Sequence, residues 1–442
     1  MNARAPLWYE WLWRGALPFA LLRLWWRGRR EPGYRRNVGE RLGRYPALSD
    51  ARRVIWVHAV SVGETRAAEP LIAALRDRYS DHRIVLTHMT AAGRATGESL
   101  FGDRVTQVYL PYDTGTGTAR FLAWCRPRFG LLMETELWPN LILRAAAGRI
   151  PLFLVNARMS ERSARGYQRI ARTSAAMLQR LTGVAAQTAA DAGRIAALGA
   201  TGVVVTGNVK FDVAIPAAAV ERGHALRCLF GASRPLWMAG STRDGEEALL
   251  LAALDKVEMP AGALLLIVPR HPQRFDAVAN LLAQRGVKFV RRSAGLPVPE
   301  DAAIVLGDTM GEMLAYYAAA DIAFVGGSLL PLGGQNLIEP LAVGTPVLIG
   351  PSTFNFAEVA RDALARGAAW RGTDAAAIIG AVDELLRDPQ RRERMRNAGL
   401  ELLAAHRGAT ARTFNWIAER LAAAEANADP TQSGRGVTPT RG

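Results

Sequence analysis

Residues 53–64 read RVIWVHAVSVGE, an apolar, β-rich run that ends where an amphipathic stretch begins. Runs without polar alternation suit strands covered on both faces. Ser61 and Glu64 at the junction match the S-x-x-E pattern in which a capping serine and a glutamate three residues on satisfy orphan N–H groups of a helix. A buried strand feeding a capped helix is the repeating unit of a parallel α/β sheet. Glu64 is therefore open to two readings at this point: a helix cap, or a carboxylate presented at a strand end to take a proton.

Working outward, the same unit recurs along the chain. Strand patterns appear in RIVLTHM, VTQVYLPY, FGLLMET, PLFLVNA, GVAAQT and VVVTG, and again in PLWMAGS, ALLLIVPR, KFVRRS, AAIVLGD, IAFVGGS and PVLIGP. Longer helical patterns separate them, which implies right-handed crossovers. A chain of 442 residues, 50% hydrophobic, exceeds the size at which one core keeps growing. The fold class expected is α/β, with two Rossmann-like domains and an N-terminal membrane-associated helix. The expected bounds are an anchor and basic segment over residues 1–45, a first domain over 46–215, a linker over 216–235 where strand signals lapse, a second domain with closing helices over 236–426, and a disordered tail over 427–442.

Two cysteines, Cys125 and Cys228, are too few and too far apart for a disulfide framework or a zinc site. A reducing compartment and no structural metal are expected. The formal charge of +15 favours anionic partners. Its carriers are arginines, since the lysines are only Lys210, Lys256 and Lys288. No interleaved aromatic and basic strip of the kind that single strands need is present, so nucleic acid is not an expected partner.

The charge is uneven. The first 50 residues hold ten arginines against four acids, 10 − 4 = +6, and five of the 11 tryptophans lie in the first 26 residues. Indole rings and an apolar stretch followed by RGRREPGYRRNVGERLGR suit the interface of an anionic cytoplasmic leaflet. Glu10, Arg14 and Arg23 interrupt the apolar stretch, so a shallow or interfacial anchor is expected rather than a span. No small-residue cleavage site follows it, unlike a signal peptide.

In parallel sheets, ligands bind beyond the carboxyl ends of the strands. There this chain places SVGE, ETELWPN, NVKFD, GSTRDGEE, PRHPQRF, TMGEML and LLPLGGQNLIEP. Thr309 with Glu312, Ser241 with Asp244 and Asn336 with Glu339 repeat the capping pattern of Ser61 with Glu64, and free N–H groups at such turns can hold anions. The chain has no G-x-G-x-x-G, no P-loop and no Asp-x-Asp metal clasp. Residues 59–63, AVSVG, approach the G-x-S-x-G nucleophile elbow but lack its first glycine. A serine hydrolase or acyltransferase on Ser61 is the alternative reading, with His271 and His406 downstream.

Taken together and in order, HAVSVGE, METELWPN, NARMSERS, GNVKFD, GST..GEE, PRHPQRF, DTMGEM, GGSLLPLGGQNLIEP and GPSTFNF resemble the blocks of the Kdo transferases, which move 3-deoxy-D-manno-octulosonic acid (Kdo) from CMP-Kdo to a lipid A precursor. The resemblance runs from RGRREPGYRRNVGERLG to about Trp416. It implies GT-B architecture, with the acceptor on the N-terminal domain and CMP-Kdo on the C-terminal one. It also implies an inverting transfer without a metal or other cofactor, at the cytoplasmic face of the inner membrane. Carried over residue by residue, it implies Glu64 as general base and Glu134 and Lys210 as stabilisers of the transition state. For the donor it implies Pro269, Arg270, Met310, Gly311, Glu312, Asn336, Leu337, Ile338 and Glu339, with the strand-end serines Ser241 and Ser328. The chain departs from the family pattern at Arg243, Asp244, Leu332, Gln335 and Leu337, and another membrane-associated GT-B nucleotide-sugar transferase stands as a further alternative beside the Ser61 hydrolase or acyltransferase.

Overall fold

The computed structural model describes residues 5–29, 31–212 and 215–428. The chain forms two compact units: it leaves the first after Asp212 and returns to it at Arg407.

The first unit is built on β1 (Val54–His58), β2 (Arg83–His88), β3 (Thr106–Tyr109), β4 (Pro127–Met133), β5 (Leu152–Ala157), β6 (Gly183–Ala186) and β7 (Val203–Val205). Their order in the sheet is β3-β2-β1-β4-β5-β6-β7, and every pairing is parallel. The opening stretch shows why an unbroken apolar run was needed. Alternate residues of β1 point to opposite faces: Val54 and Trp56 enter one core, Ile55 and Val57 the other. Helices cover both.

The second unit carries β8 (Leu236–Thr242), β9 (Leu264–Pro269), β10 (Phe289–Arg291), β11 (Ile304–Leu306), β12 (Ile322–Val325), β13 (Val347–Ile349) and β14 (Ala369–Arg371), in the order β10-β11-β9-β8-β12-β13-β14, again all parallel. The edge strand β14 has no counterpart among the expected strands. It is three residues of mixed burial, too short to show a period.

Two of the expected bounds require correction. Residues 216–235 are not a linker, because most of them form the helix Ala217–Phe230. Leu226 and Phe230 from that helix lie in the core beside β8 and β9, each worth about 2 kcal/mol in apolar burial. Gly223 lets the helix approach its neighbour so closely that a Cβ there would sit 2.6 Å from the Ala318 side chain. The closing helix Ala409–Ala428 belongs to the first unit. Trp416, Ile417 and Leu421 pack into its core, with the Trp416 ring edge-on to Phe153 at 5.5 Å. Asp212 accepts the N–H groups of Gly408 and Thr410, both at 2.6 Å. The tail expected over 427–442 lies outside the described residues from 429 onward.

The N-terminal helix Leu7–Arg27 has two faces. Trp13, Leu17, Ala20, Leu21 and Leu24 pack around Tyr34 and Tyr112, and the Tyr9 hydroxyl donates to buried Asp113 at 2.9 Å. Trp8, Trp11, Leu12, Phe19, Leu22, Trp25 and Trp26 are exposed. Among the described residues no helix is long and apolar enough to cross a membrane. Among the described arginines of the basic segment one is not on the surface: Arg41 is buried, its guanidinium 3.9 Å from the Tyr109 ring centre and donating to the Met89 carbonyl.

Candidate active site

In the first sheet the chain winds from β1 outward through β2 to β3, then crosses to β4 on the other side of β1. The carboxyl ends of β1 and β4 therefore flank the point where the order reverses, the position at which doubly wound sheets bind ligands. Glu64 follows β1 and Glu134 follows β4.

Ser61 caps the helix Val62–Arg78, its Oγ accepting from the Glu64 N–H. The Glu64 carboxyl turns back: Oε2 accepts from the Val60 N–H at 2.8 Å and Oε1 from the Ser61 hydroxyl at 2.9 Å. The capping reading is thus correct as local structure. It does not exhaust the residue, because Glu64 is only 8% exposed. Burial first, then the charge of Glu134 with a smaller part from Glu136, pushes its pKa up to about 7, against the bonds from Val60 and Ser61 that favour the anion. A carboxyl near neutrality can exchange a proton at working pH. The Ser61 hydroxyl donates to Glu64 rather than to a histidine, so the relay that a serine nucleophile needs is not formed here.

Glu134 adopts φ +58°, a left-handed conformation uncommon outside glycine. Its N–H still bonds to Val155 O at 2.9 Å, and its carboxyl leaves the strand line. Lys210, 76 residues on, meets Oε1 at 2.5 Å, and Arg158 Nε lies 3.5 Å from Oε2. Lys210 is placed by a short turn after β7. Asn208 accepts the Lys210 N–H and donates to Gln187, while Asn156 Oδ1 accepts the Val209 N–H.

Glu136 was not among the expected site residues. Burial first, then the Glu134 charge, pushes its pKa up to about 7. Trp138 Nε1 donates to its Oε2 at 2.8 Å, and His58 Nε2 lies 3.9 Å from the same oxygen. Burial keeps His58 neutral, its pKa pulled down to about 3. The signal available in the sequence was the second glutamate of METELWPN, two residues from Glu134.

The second sheet reverses between β8 and β12. There the expected pair of Ser241 with Asp244 does not form. Ser241 is still part of β8, at φ +55°, Gly245 stands at the N-cap, and Asp244, with its side chain 97% exposed, pairs with Arg274. The organising residue is Glu246, fully buried. It accepts the N–H groups of Arg243 at 2.9 Å, Gly327 at 2.6 Å and Leu329 at 2.9 Å, tying the ends of β8 and β12 together. Glu247 holds Arg274 through both oxygens, at 2.7 and 2.9 Å, and accepts from Thr242 at 2.6 Å.

Ser328 is buried, and its hydroxyl is used inside the loop, donating to Val325 O and accepting from Gly350 N. Gly333 and Gly334, both at positive φ, are pinned from residues 352–355 by Ser352 and Asn355. Asn336 accepts the Ile338 N–H and donates to Glu339 Oε1, both at 3.0 Å. Leu337 and Ile338 are buried beneath that turn. Glu312 accepts from Thr309 and Tyr316 and pairs with Arg292 at 3.2 Å. Burial would raise its pKa, but these partners prevail and hold it below the usual carboxylate value. Met310, 70% exposed, and Gly311, at φ +79°, precede it. Pro269 ends β9, and the N–H of Arg270 joins Thr242 O at 3.0 Å. Among the described residues no group of three or more His, Cys, Asp or Glu side chains could hold a metal ion.

Two all-parallel α/β sheets, with carboxylates at the reversal point of one and a glycine-rich, arginine-flanked loop at that of the other, have the architecture of the GT-B glycosyltransferases. Residues 36–213 match the family described as 3-Deoxy-D-manno-octulosonic-acid transferase (kdotransferase), and residues 288–402 that of glycosyl transferases group 1. The 3-deoxy-D-manno-octulosonic acid transferase of Bordetella pertussis is 46% identical, over 92% of this chain and 97% of its own. That of Haemophilus influenzae is 40% identical, over 88% and 92%. In fold, the UDP-GlcNAc 2-epimerase of Neisseria meningitidis matches 83% of this chain and 100% of its own with TM-score 0.53 at 15% identity. The chain belongs to the 3-deoxy-D-manno-octulosonic acid transferase family and is a glycosyltransferase.

Proposed function

We propose that the chain moves Kdo from CMP-Kdo to a lipid A precursor in lipopolysaccharide core biosynthesis, by a single inverting displacement that needs no metal. Family membership supports the sugar. The observation that carries the chemistry is the Glu64 carboxyl, buried at the reversal point of the first sheet yet poised near neutral pKa.

The acceptor hydroxyl is a poor nucleophile. Ionised Glu64 takes its proton as the new C–O bond forms at the anomeric carbon and the bond from that carbon to the phosphate oxygen breaks, releasing CMP. The Val60 N–H and Ser61 O–H hold the carboxylate in one orientation. Lys210, oriented by Glu134, offers its ammonium to the negative charge that builds during departure. Glu136 keeps a third carboxyl close enough to hold the Glu64 pKa up.

On the donor side, Pro269 and Arg270 approach the phosphate. Met310, Gly311 and Glu312 border the nucleotide, and the turn of Asn336, Leu337, Ile338 and Glu339 holds the ribose hydroxyls through Glu339. Ser241 and Ser328 shape the strand ends from which these loops leave.

The acceptor is acylated, so the enzyme works at the cytoplasmic face of the inner membrane. The exposed indoles of the N-terminal helix and the surface arginines that follow it support binding to that surface, each arginine contributing on the order of 1 kcal/mol. Arg41, being buried, takes no part.

The experiment is incubation of the full chain with CMP-Kdo and a tetraacylated lipid A precursor, followed by mass analysis of the lipid. A product heavier by whole Kdo residues is expected; unchanged lipid with CMP-Kdo still present overturns the proposal. Removing residues 1–26 should deplete the protein from membrane fractions, and undiminished recovery there would refute the surface role.

A further inference from the structure

Arg243 leaves the carboxyl end of β8 directly beside the loop that leaves β12. Its backbone N–H is fixed by Glu246 Oε2, the oxygen that also takes the Gly327 N–H. Its side chain lies over Gly327, where a Cβ would come within 3.5 Å of Arg243 Cγ and 3.0 Å of Gln335 Nε2. Gly327 has φ +68°, so both its backbone and its crowded surroundings call for glycine.

Arg243 is half-buried, and among the described residues nothing pairs with its guanidinium by hydrogen bond or ion pair. The neighbouring Arg274 is the contrast, held by Glu247 through two bonds and by Asp244 at 3.2 Å. Arg270, exposed at the end of β9, is open in the same sense as Arg243. Burial first, then the charges of Arg243, Arg270 and Arg274, lowers the pKa of His271, so all three cations lie within electrostatic reach of that residue. The fold has spent two carboxylates on Arg274 and none on the other two. Partly burying a charge without a counterion is unfavourable. Such a charge is expected where a ligand's anion completes the pair.

We infer that Arg243 is a second anion-reading residue of the donor site, gripping the carboxylate of a CMP-linked 2-keto sugar acid while Arg270 faces its phosphate. The inference rests on the reading of the second unit as the CMP-Kdo site. A guanidinium matches a carboxylate with a planar, two-pronged fork that no lysine offers. A donor of this class carries two anions close together, whereas CMP has only its phosphate. Arg243 therefore separates sugar-acid donor from spent nucleotide.

The test is equilibrium binding of CMP-Kdo and of CMP to the full-length wild type, Arg243→Gln and Arg270→Gln, which requires no acceptor and no turnover. Arg243→Gln should weaken CMP-Kdo about tenfold or more, as expected for one charge-assisted pair, while leaving CMP within about twofold. Arg270→Gln should weaken both. The thermal midpoint of Arg243→Gln should stay close to wild type, since the guanidinium has no hydrogen-bond or ion-pair partner among the described residues to lose. If Arg243→Gln weakens CMP as much as CMP-Kdo, or weakens neither, the inference falls while the donor reading stands. A wild type that binds no CMP-Kdo overturns both.

Discussion

The Ser61 hydroxyl donates to Glu64 Oε1 across 2.9 Å, while Ser61 Oγ accepts the Glu64 N–H, so cap and carboxyl fix each other at the start of one helix. Here the exchange takes place in a buried position beside two further glutamates.

Ser61→Ala removes one of the bonds that favour the Glu64 anion, so the Glu64 pKa rises above its present value. The acidic limb of the transfer-rate profile should move to higher pH, with the plateau rate largely retained and about 1 kcal/mol of stability lost with the cap. A pH-rate series checks this, and abolished activity at every pH would instead favour a nucleophilic Ser61.

Stability should depend on pH in a direction set by the buried carboxyls. The pKa values of Glu64 and Glu136 are raised in the folded chain from 4.5 to about 7, so between those values the folded state binds more protons than the unfolded. Their contribution is fully present below about pH 4.5 and is lost as pH rises through 7. Glu64→Gln, which cannot ionise, should therefore exceed wild type in stability at pH 8, by on the order of 3 kcal/mol at most, with a higher thermal midpoint, and approach it at pH 4.5. Melting curves at the two pH values decide; an equal difference at both would contradict the buried-acid account.

Glu134 and Lys210 should behave as a unit. Removing the glutamate frees the ammonium from its guide, and removing the lysine leaves a half-buried carboxylate with Arg158 as its neighbouring cation. Glu134→Gln and Lys210→Met should each slow transfer about 100-fold or more, and the double variant should be little worse than either. Additive losses in a double-mutant cycle would mean that the two act separately.

Glu246→Ala leaves the N–H groups of Arg243, Gly327 and Leu329 without their acceptor. Loss of about 2–3 kcal/mol in stability is expected, with weaker CMP binding because the loop after β12 is no longer tied to β8. Calorimetry of unfolding and of CMP binding tests both, and unchanged CMP affinity would remove Glu246 from the account of the donor site.

The strands were legible because parallel sheets bury both faces, and runs such as VIWVH leave little else to infer. The reversal points were not, since sheet order follows from how helices pack rather than from any residue. Residues 216–235 misled because small and polar residues dominate them, yet Gly223, Leu226 and Phe230 occupy one helical face. Closing helices could not be assigned to a unit from sequence, because the partner of Trp416 is Phe153, far away in the chain. At the site, Glu64, Glu134 and Lys210 stood out through family blocks, and the structure brings Glu134 and Lys210 into contact. Glu136 and Glu246 were passed over: Glu136 was signalled only as the second glutamate of METELWPN and meets the Trp138 indole, while Glu246 acts through burial and bonds to backbone N–H groups that leave no spacing to read.

The central claim is that Glu64 removes the acceptor's proton. It is tested most directly by single-turnover transfer with Glu64→Gln, alongside CMP-Kdo binding to the same protein. Transfer at least about 1,000-fold slower than wild type, with donor affinity unchanged, is the expected result. Turnover within a few-fold of wild type would contradict it.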